Sequence, residues 1–511
     1  MPDTDVLIIG AGHNGLTCAA YLAMAGLRVR VVERRKVVGG AAVTEEFHPG
    51  FRNSVAAYTV SLLNPKVIAD LRLHDHGLRI VERRAQNFLP APDGRYLLTG
   101  EGRTRASVAR LSERDAAVLD DFTRELEELA DVVRQFVLRA PPNLTEGFGL
   151  KAAGEFVNAI GSAGILRGLS LEQQRSLLDL FTRSAGDMLD DRFETDLIKS
   201  LFGFDAVVGN YASPYAAGSA YVMLHHAFGE VNGKKAVWGH AIGGMGAITQ
   251  AMATAARAHG VEIETGAGVH EIVVERECAA GAVLDDGRTI RARYVAASVN
   301  PKLLYTRLLP ADALPAAFLA RIRNWRNGSE TFRMNVALSA LPSFSALPGA
   351  GDHLSAGIII APGLDYMDRA WQDARRFGWS REPVVEVLIP SVIDDTLAPP
   401  GRHVASLFCQ HVAPQLPGGA SWDDHRDEVA DLMIATVDRY APGFAASVIG
   451  RQILSPLDLE REFGLLGGDI FHGALTLNQL FSARPMLGYA DYRGPLKGLY
   501  HCGSGAHPGG G

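Results

Sequence analysis

Asp5-Val6-Leu7-Ile8-Ile9-Gly10-Ala11-Gly12-His13-Asn14-Gly15-Leu16 is the stretch on which the fold turns. From Asp5 the chain runs through four apolar residues to Ile9, the pattern of a parallel strand buried on both faces. Gly10, Gly12 and Gly15 follow in G-x-G-x-x-G spacing, then a helix-forming run from Leu16 to Ala25 closed by Gly26. A second apolar run, Val29 to Val32, ends on Glu33. Together these predict a βαβ unit. Its first glycine permits a tight turn, its second lets the backbone approach a pyrophosphate, and its third allows close packing of helix on strand. The helix N-terminus offers free N–H groups and a partial positive charge to phosphates. Glu33 stands where a carboxylate accepts a ribose hydroxyl, which argues against a 2′-phosphate there. The unit predicts dinucleotide binding.

Composition bounds the rest. A chain of 511 residues can hold two or more domains with substantial cores. With 47% hydrophobic and 21% charged residues it has the balance of an ordinary soluble protein. A net charge of −7 argues against nucleic-acid partners, and no polybasic run is present. Cys18, Cys278, Cys409 and Cys502 form no C-x-x-C, which excludes a redox dithiol motif and suggests a reducing compartment. The first strand begins too near Met1 for a signal peptide, and no apolar stretch reaches membrane-spanning length. The expected location is the cytoplasm. No His, Cys and acid set has metal-ligand spacing, and the adjacent His225 and His226 read as helical.

Downstream of Glu33, Gly39-Gly40-Ala41-Ala42-Val43-Thr44 completes E-x5-G-G-x-x-x-T. This resembles the extended signature of the FAD-dependent amine oxidase and phytoene desaturase superfamily, whose paired glycines run along the flavin side of the cofactor. The family usually carries arginine after the pair; Ala41 here removes one polar contact. The tail adds a second likeness. Gly498-Leu499-Tyr500-His501-Cys502-Gly503-Ser504-Gly505-Ala506-His507-Pro508-Gly509-Gly510-Gly511 resembles the G-L-Y-x-x-G-x-x-x-x-P-G-G-G element of carotenoid desaturases and isomerases, which passes beside the flavin ring. Ser504 replaces the acid usual after the first loop glycine.

The resemblance implies an α/β chain: a Rossmann-like FAD-binding domain with an inserted mixed-sheet and helical substrate domain. Segments 1–60, 241–310 and 465–511 are expected in the first, 61–240 and 311–464 in the second. Within 61–240, residues 66 to 103 alternate apolar runs with turns and predict strands. Ser112-Glu113-Arg114-Asp115 predicts a capping box before an amphipathic helix from Val118 to Phe136. Residues 143 to 169 are rich in glycine and predict an irregular helix pair, the alternative being a mobile segment that lines a substrate entrance or touches a membrane. A further helix is expected from Ser170 past Leu189. Gly243-Gly244-Met245-Gly246 and the following helix to Ala258 read as a returning cofactor signal. The strands after it, with Val269 near the adenine end, match the β-meander of such flavoproteins. The aromatics Trp325, Phe332, Phe344, Tyr366, Trp371, Phe377 and Trp379 are mostly expected in the core, any one of them having some chance of walling a pocket.

The cofactor-binding candidates are therefore Gly10, Gly12, Gly15, Glu33, Arg34, Gly39, Gly40, Ala41, Val269, Gly503, Ser504 and Pro508, and the cofactor is FAD. His472, His507 and Arg484, with His501, are the candidate side chains near the ring. The implied chemistry is hydride transfer from an apolar or amine-type small molecule to flavin, or isomerisation of its double bond. Without a second nucleotide fingerprint, O₂, a quinone or another acceptor is expected to reoxidise the flavin. The alternative is a carrier on the same fold, like the GDP dissociation inhibitors, although a carrier has no need of three flavin-facing glycine segments. Peripheral membrane contact and a homodimer are both compatible with the sequence. Because Gly511 falls inside a loop that runs on into a helix in the resembling family, the natural protein is expected to continue beyond it.

Overall fold

The computed structural model describes residues 2–143 and 150–510, the side chains of 150–153 excepted. Of the glycines in the irregular segment and the tail, Gly147, Gly149 and Gly511 lie outside the described residues. Two seven-stranded sheets organise the molecule. In the first, Thr4–Ile9 lies between Val29–Glu33 and Thr289–Ala297 and runs parallel to both. Glu262–Thr265 pairs in parallel outside Val29–Glu33, and Leu499–His501 pairs in parallel with the end of Thr289–Ala297. Cys278–Leu284 and Val269–Glu275 continue the sheet as an antiparallel meander. The unbroken apolar run of the first strand has its reason here. Val6 and Ile8 pack toward the helices His13–Met24 and Gly246–Ala258, while Leu7 and Ile9 pack into clusters on the other face.

The second sheet runs Val448–Leu454, Phe332–Leu338, His403–Val412, Trp379–Leu388, Gly357–Ile360, Asn87–Pro90, Tyr96–Leu98. Its neighbours are antiparallel except for Gly357–Ile360 beside Asn87–Pro90. Alternation gives it two unlike faces. Phe332, Met334, Val385, Val387, Ala405 and Leu407 form an apolar core with Val429 and Met433 of the helix Trp422–Tyr440. The opposite face carries Arg333, Asn335, Glu386, Ser406 and Gln410, all buried. This arrangement is the mixed α/β fold that the sequence predicts.

Several local expectations change. Pro65–Asp70 is helical rather than extended, because Asn64 caps it by accepting from Lys66 N at 2.9 Å and proline is preorganised at that position, and Leu73–His76 adds a 3₁₀ turn. Strands begin only at Ile80, and the turn Pro92-Asp93-Gly94 then closes the hairpin Asn87–Pro90/Tyr96–Leu98. The helix from Ser170 stops at Thr182; Ser184 caps a separate helix, Ala185–Arg192, by accepting from Asp187 N at 3.0 Å. Phe332, Phe344 and Tyr366 are buried in apolar clusters, Trp325 is buried beside the Arg484 guanidinium, and Phe377 is exposed, so most of these aromatics are packed inside. Leu150–Arg167 forms a helix, and Phe156, Val157 and Ile160 stand out into solvent.

The capping box at Ser112 is only half made. Ser112 Oγ accepts from Asp115 N at 3.1 Å and caps Glu113–Val137. The fully buried Asp115 carboxylate turns away and accepts from Glu194 N at 3.0 Å and Thr195 N at 2.9 Å, tying two helices together. Asp115→Ala leaves two buried N–H groups unpaired and should cost about 2–4 kcal/mol, against about 1 kcal/mol for Ser112→Ala. Urea denaturation measures both. Equal losses for the two variants would mean that Asp115 acts only as a helix-cap residue.

Candidate cofactor site

The carboxyl ends of the parallel strands open onto one cleft, as in open α/β sheets generally. It encloses about 310 Å³ and is lined by Gly10, Gly12, Glu33, Arg34, Gly40, Ala41, Val269, His472 and Ser504, among others. Residues from both ends of the chain and from the meander thus meet at one place.

Its floor depends on missing side chains. A Cβ on Gly15 would lie 2.1 Å from the carbonyl oxygen of Gly10, so the helix His13–Met24 sits on the turn only because Gly15 has none. Gly39 N donates to Ala11 O at 2.8 Å, and this brings Gly40 against Gly12, where a Cβ on Gly40 would stand 3.2 Å from Gly12 Cα. Gly12 itself has extended backbone and no atom nearer than 4.0 Å to its would-be Cβ, which would point into the cradle between the two walls. No side chain caps this helix and no acid sits in its first turn, so its N–H groups face the cleft with their positive end uncompensated.

Glu33 is 6% exposed and held rigidly: Oε2 accepts from Ala11 N at 2.8 Å and Oε1 from Arg35 N at 2.9 Å. Each oxygen keeps a lone pair for a ligand hydroxyl. Arg34 donates to Arg461 O at 3.1 Å at the rim. Ser504 Oγ accepts from Asn14 Nδ2 at 3.1 Å. Three buried atoms on the lining residues, Asn300 Nδ2, Arg35 Nη1 and His472 Nδ1, have no partner. An uncapped helix end, a cradle that a Cβ would fill and unpaired donors fit an extended anionic dinucleotide.

Other candidates take different roles. Arg484 is completely buried and outside the cleft; its guanidinium donates to Ser504 O at 2.9 and 2.8 Å, Gln479 O at 2.9 Å and Phe471 O at 2.5 Å. With its donors spent on carbonyls it anchors the tail, and burial lowers its pKa to about 10. His501 is tied to Val299 O at 2.8 Å. His507 is tied to Phe136 O at 3.0 Å and lines a second, apolar cavity of about 750 Å³ with Phe136, Leu166, Leu178 and Phe481. Gly503 packs on the Ser298 backbone, and Pro508 stands away from the cleft with its carbonyl accepting from Phe481 N at 3.3 Å. His472 alone among the histidine candidates lines the cleft; burial, then the charges of His501, Arg484 and His13, lowers its pKa to about 3, so it is neutral at pH 7.

The segment Gly243–Gly246 is not part of this cleft. Gly243 N donates to Asp394 at 2.7 Å, Met245 N to Ser54 at 2.9 Å and Gly246 N to Thr44 at 2.9 Å, so protein oxygens occupy that helix N-terminus. Gly244 and Gly246 are needed for contact with Thr44, not with a ligand. Conversely, His13, Asn14, Arg35, Ser298 and Asn300 line the cleft although none is a sequence candidate. Only His13 and Asn14, inside the glycine fingerprint, carried a signal for it. Cys18 and Cys502, remote in sequence, meet thiol to thiol beside the first helix.

The flavin containing amine oxidoreductase model matches residues 15–331. The pyridine nucleotide-disulfide oxidoreductase domain-containing protein 2 of Rattus norvegicus is 40% identical over 100% of this chain and 91% of its own length. The lycopene-forming phytoene desaturase of Pseudescherichia vulneris is 25% identical over 99% of this chain and 95% of its own length. Among solved structures, cyclohexylamine oxidase of Brevibacterium oxydans shares the fold with a TM-score of 0.54 at 18% identity, over 99% of this chain and 94% of that one. Independently of any ligand, Gly15→Val should lower the thermal midpoint markedly, since a Cβ 2.1 Å from the Gly10 oxygen cannot be accommodated without breaking the turn. Differential scanning calorimetry checks this, and an unchanged midpoint would refute the packing role.

Proposed function

This chain belongs to the flavin-containing amine oxidoreductase family, and on that premise we propose that it is an FAD-dependent oxidoreductase that oxidises or isomerises a small, largely apolar molecule. The observation that carries this reading is the convergence of Gly12, Gly40, Glu33 and Ser504 on one cleft beneath an uncapped helix N-terminus. Glu33 would accept a ribose hydroxyl, and the N–H groups after Gly12 would hold the pyrophosphate. Val269 would flank the adenine, and His472 and Ser504 the far end. Bound flavin supplies a hydride acceptor for making C–C or C–N double bonds. Neutral His472 has a ring nitrogen free to accept or donate a hydrogen bond there.

The second cavity supports a route for an apolar substrate. It lies on the other side of the tail loop, His507 lining it three residues after Ser504 lines the cleft. Of its lining, Leu178 is 62% and Leu166 41% exposed, apolar side chains at its mouth suited to peripheral contact with a membrane or a hydrophobic carrier. Among the described residues no helix is long and apolar enough to cross a membrane.

Gly12→Val tests the cofactor assignment. Because a Cβ at this position comes no closer than 4.0 Å to the facing Gly40 backbone, the variant should fold and yet lose flavin, its isopropyl group standing where the pyrophosphate belongs. Flavin absorbance per protein in the purified variant is the measurement, and a full complement would sink the reading. With one nucleotide fold, NADH and NADPH should reduce the flavin slowly or not at all. Fast, saturable bleaching in anaerobic stopped flow would reveal a second nucleotide site.

A further inference from the structure

Arg333, in the strand Phe332–Leu338, lies on the polar face of the second sheet and is 1% exposed. The strand register sets Arg333, Phe408 and Glu386 side by side in one row across three strands. Tyr58, reaching in from the chain that follows the Gly39-Gly40 wall, covers that row. Its ring lies 4.3 Å from the Arg333 guanidinium carbon and 5.2 Å from the Phe408 ring, and its hydroxyl donates to Glu386 Oε2 at 2.6 Å. Arg333 spends one nitrogen, Nη2, on Ser406 Oγ at 2.6 Å, and leaves Nε and Nη1 buried without a partner. On the same face Gln410 gives its oxygen to Gly209 N at 3.1 Å and also leaves Nε2 buried and unpaired. Every unpaired group on Arg333 and Gln410 is a donor.

The charges give the same sign. Arg83 is buried nearby, bonded to Thr59, and neither it nor Arg333 has a carboxylate within ion-pair distance among the described residues. Glu386 accepts from Tyr58, as an ionised carboxylate does; burial raises its pKa, and Arg83, Tyr58 and Arg333 oppose the rise. Asp205, which is within reach of the Glu386 charge, has its pKa pushed up to about 8 by burial and then by that charge, and is mostly neutral at pH 7. Two guanidinium charges against one carboxylate leave an excess of one positive charge in a buried place, and protonating Glu386 would only enlarge it. A buried excess charge with unpaired donors opposes stability, and a ligand that supplies the missing charge and acceptors completes it. A single negative charge restores neutrality. A planar carboxylate suits the guanidinium fork, and the Tyr58 and Phe408 rings suit an apolar body attached to it.

We propose, resting on the reading above, that Arg333 and Gln410 bind the carboxylate of a substrate whose remainder is apolar. Arg333 is then a specificity-determining residue, and the preferred substrate is an acid, not an amine. The test is isothermal titration of the purified holoprotein with octanoate, octanol and octylamine, followed by Arg333→Met and Arg333→Lys. Octanoate should bind saturably and the other two at least tenfold more weakly. Arg333→Met should lose roughly 10- to 100-fold in octanoate affinity, the range of a charged hydrogen-bonded contact, and Arg333→Lys should recover part of it. Octylamine or octanol binding as tightly as octanoate, or no saturable octanoate binding, would overturn the proposal. So would wild-type affinity in Arg333→Met. If that variant does not fold, the wild-type panel still decides. Flavin content is measured on the same samples: a flavin-free wild type would count against the oxidoreductase reading, while the octanoate heats go on testing Arg333.

Discussion

The distance between Gly15 and the Gly10 carbonyl is the constraint on which the site rests. A helix can begin directly over a strand end only if the residue facing the turn has no side chain, and here a single methyl would come within 2.1 Å of an oxygen. That closeness sets where the first helix points. Its N-terminus then faces the line of strand ends at Ile9, Val32 and Ser298, and the Gly39-Gly40 wall closes on it from the other side. Remote elements follow the same geometry. Ser504 reaches Asn14, and Arg484 holds Ser504 in place by its carbonyl, so the tail is fastened to the helix that the glycine turn positions.

The two sheets solve different problems with the same strand chemistry. Parallel strands covered on both faces have no polar face to offer, and the first sheet contributes its strand ends and loops instead. The second sheet is mostly antiparallel and packs one face against the helix Trp422–Tyr440. Its other face is free to carry Arg333, Asn335 and Glu386 inward. Burying those groups opposes stability, which is why their remaining hydrogen-bonding capacity is informative.

What was legible in the sequence is what local spacing encodes. The glycine fingerprint, Glu33, the paired glycines and the alternation of the meander are each set within a few residues. Gly243–Gly246 misled because the same glycine spacing also serves simple packing; only the distant Thr44, Ser54 and Asp394 distinguish the two uses. Arg484 could not be read, since its partners are carbonyl groups, which every residue has. Asp115 satisfied the pattern of a capping box yet turned to Glu194 and Thr195, some eighty residues away. Arg333 left no trace in the sequence for a similar reason. Its meaning comes from a cross-strand row with Phe408 and Glu386 and from Tyr58, nearly three hundred residues earlier.

The order of strands in the first sheet has a consequence for biosynthesis. Val29–Glu33 has as neighbours Thr4–Ile9 and Glu262–Thr265, and Thr4–Ile9 has as its other neighbour Thr289–Ala297. At typical ribosomal rates the wait between making the first pair and its outer partners is on the order of ten to fifty seconds. Throughout that interval two short, strongly apolar strands have unpaired edges and no sheet to join, the condition in which nascent chains aggregate. Contacts of such long sequence separation also form slowly once all the strands exist. The cleft is likewise finished late in synthesis: Ser504, which lines it, follows the last strand of the sheet, Leu499–His501.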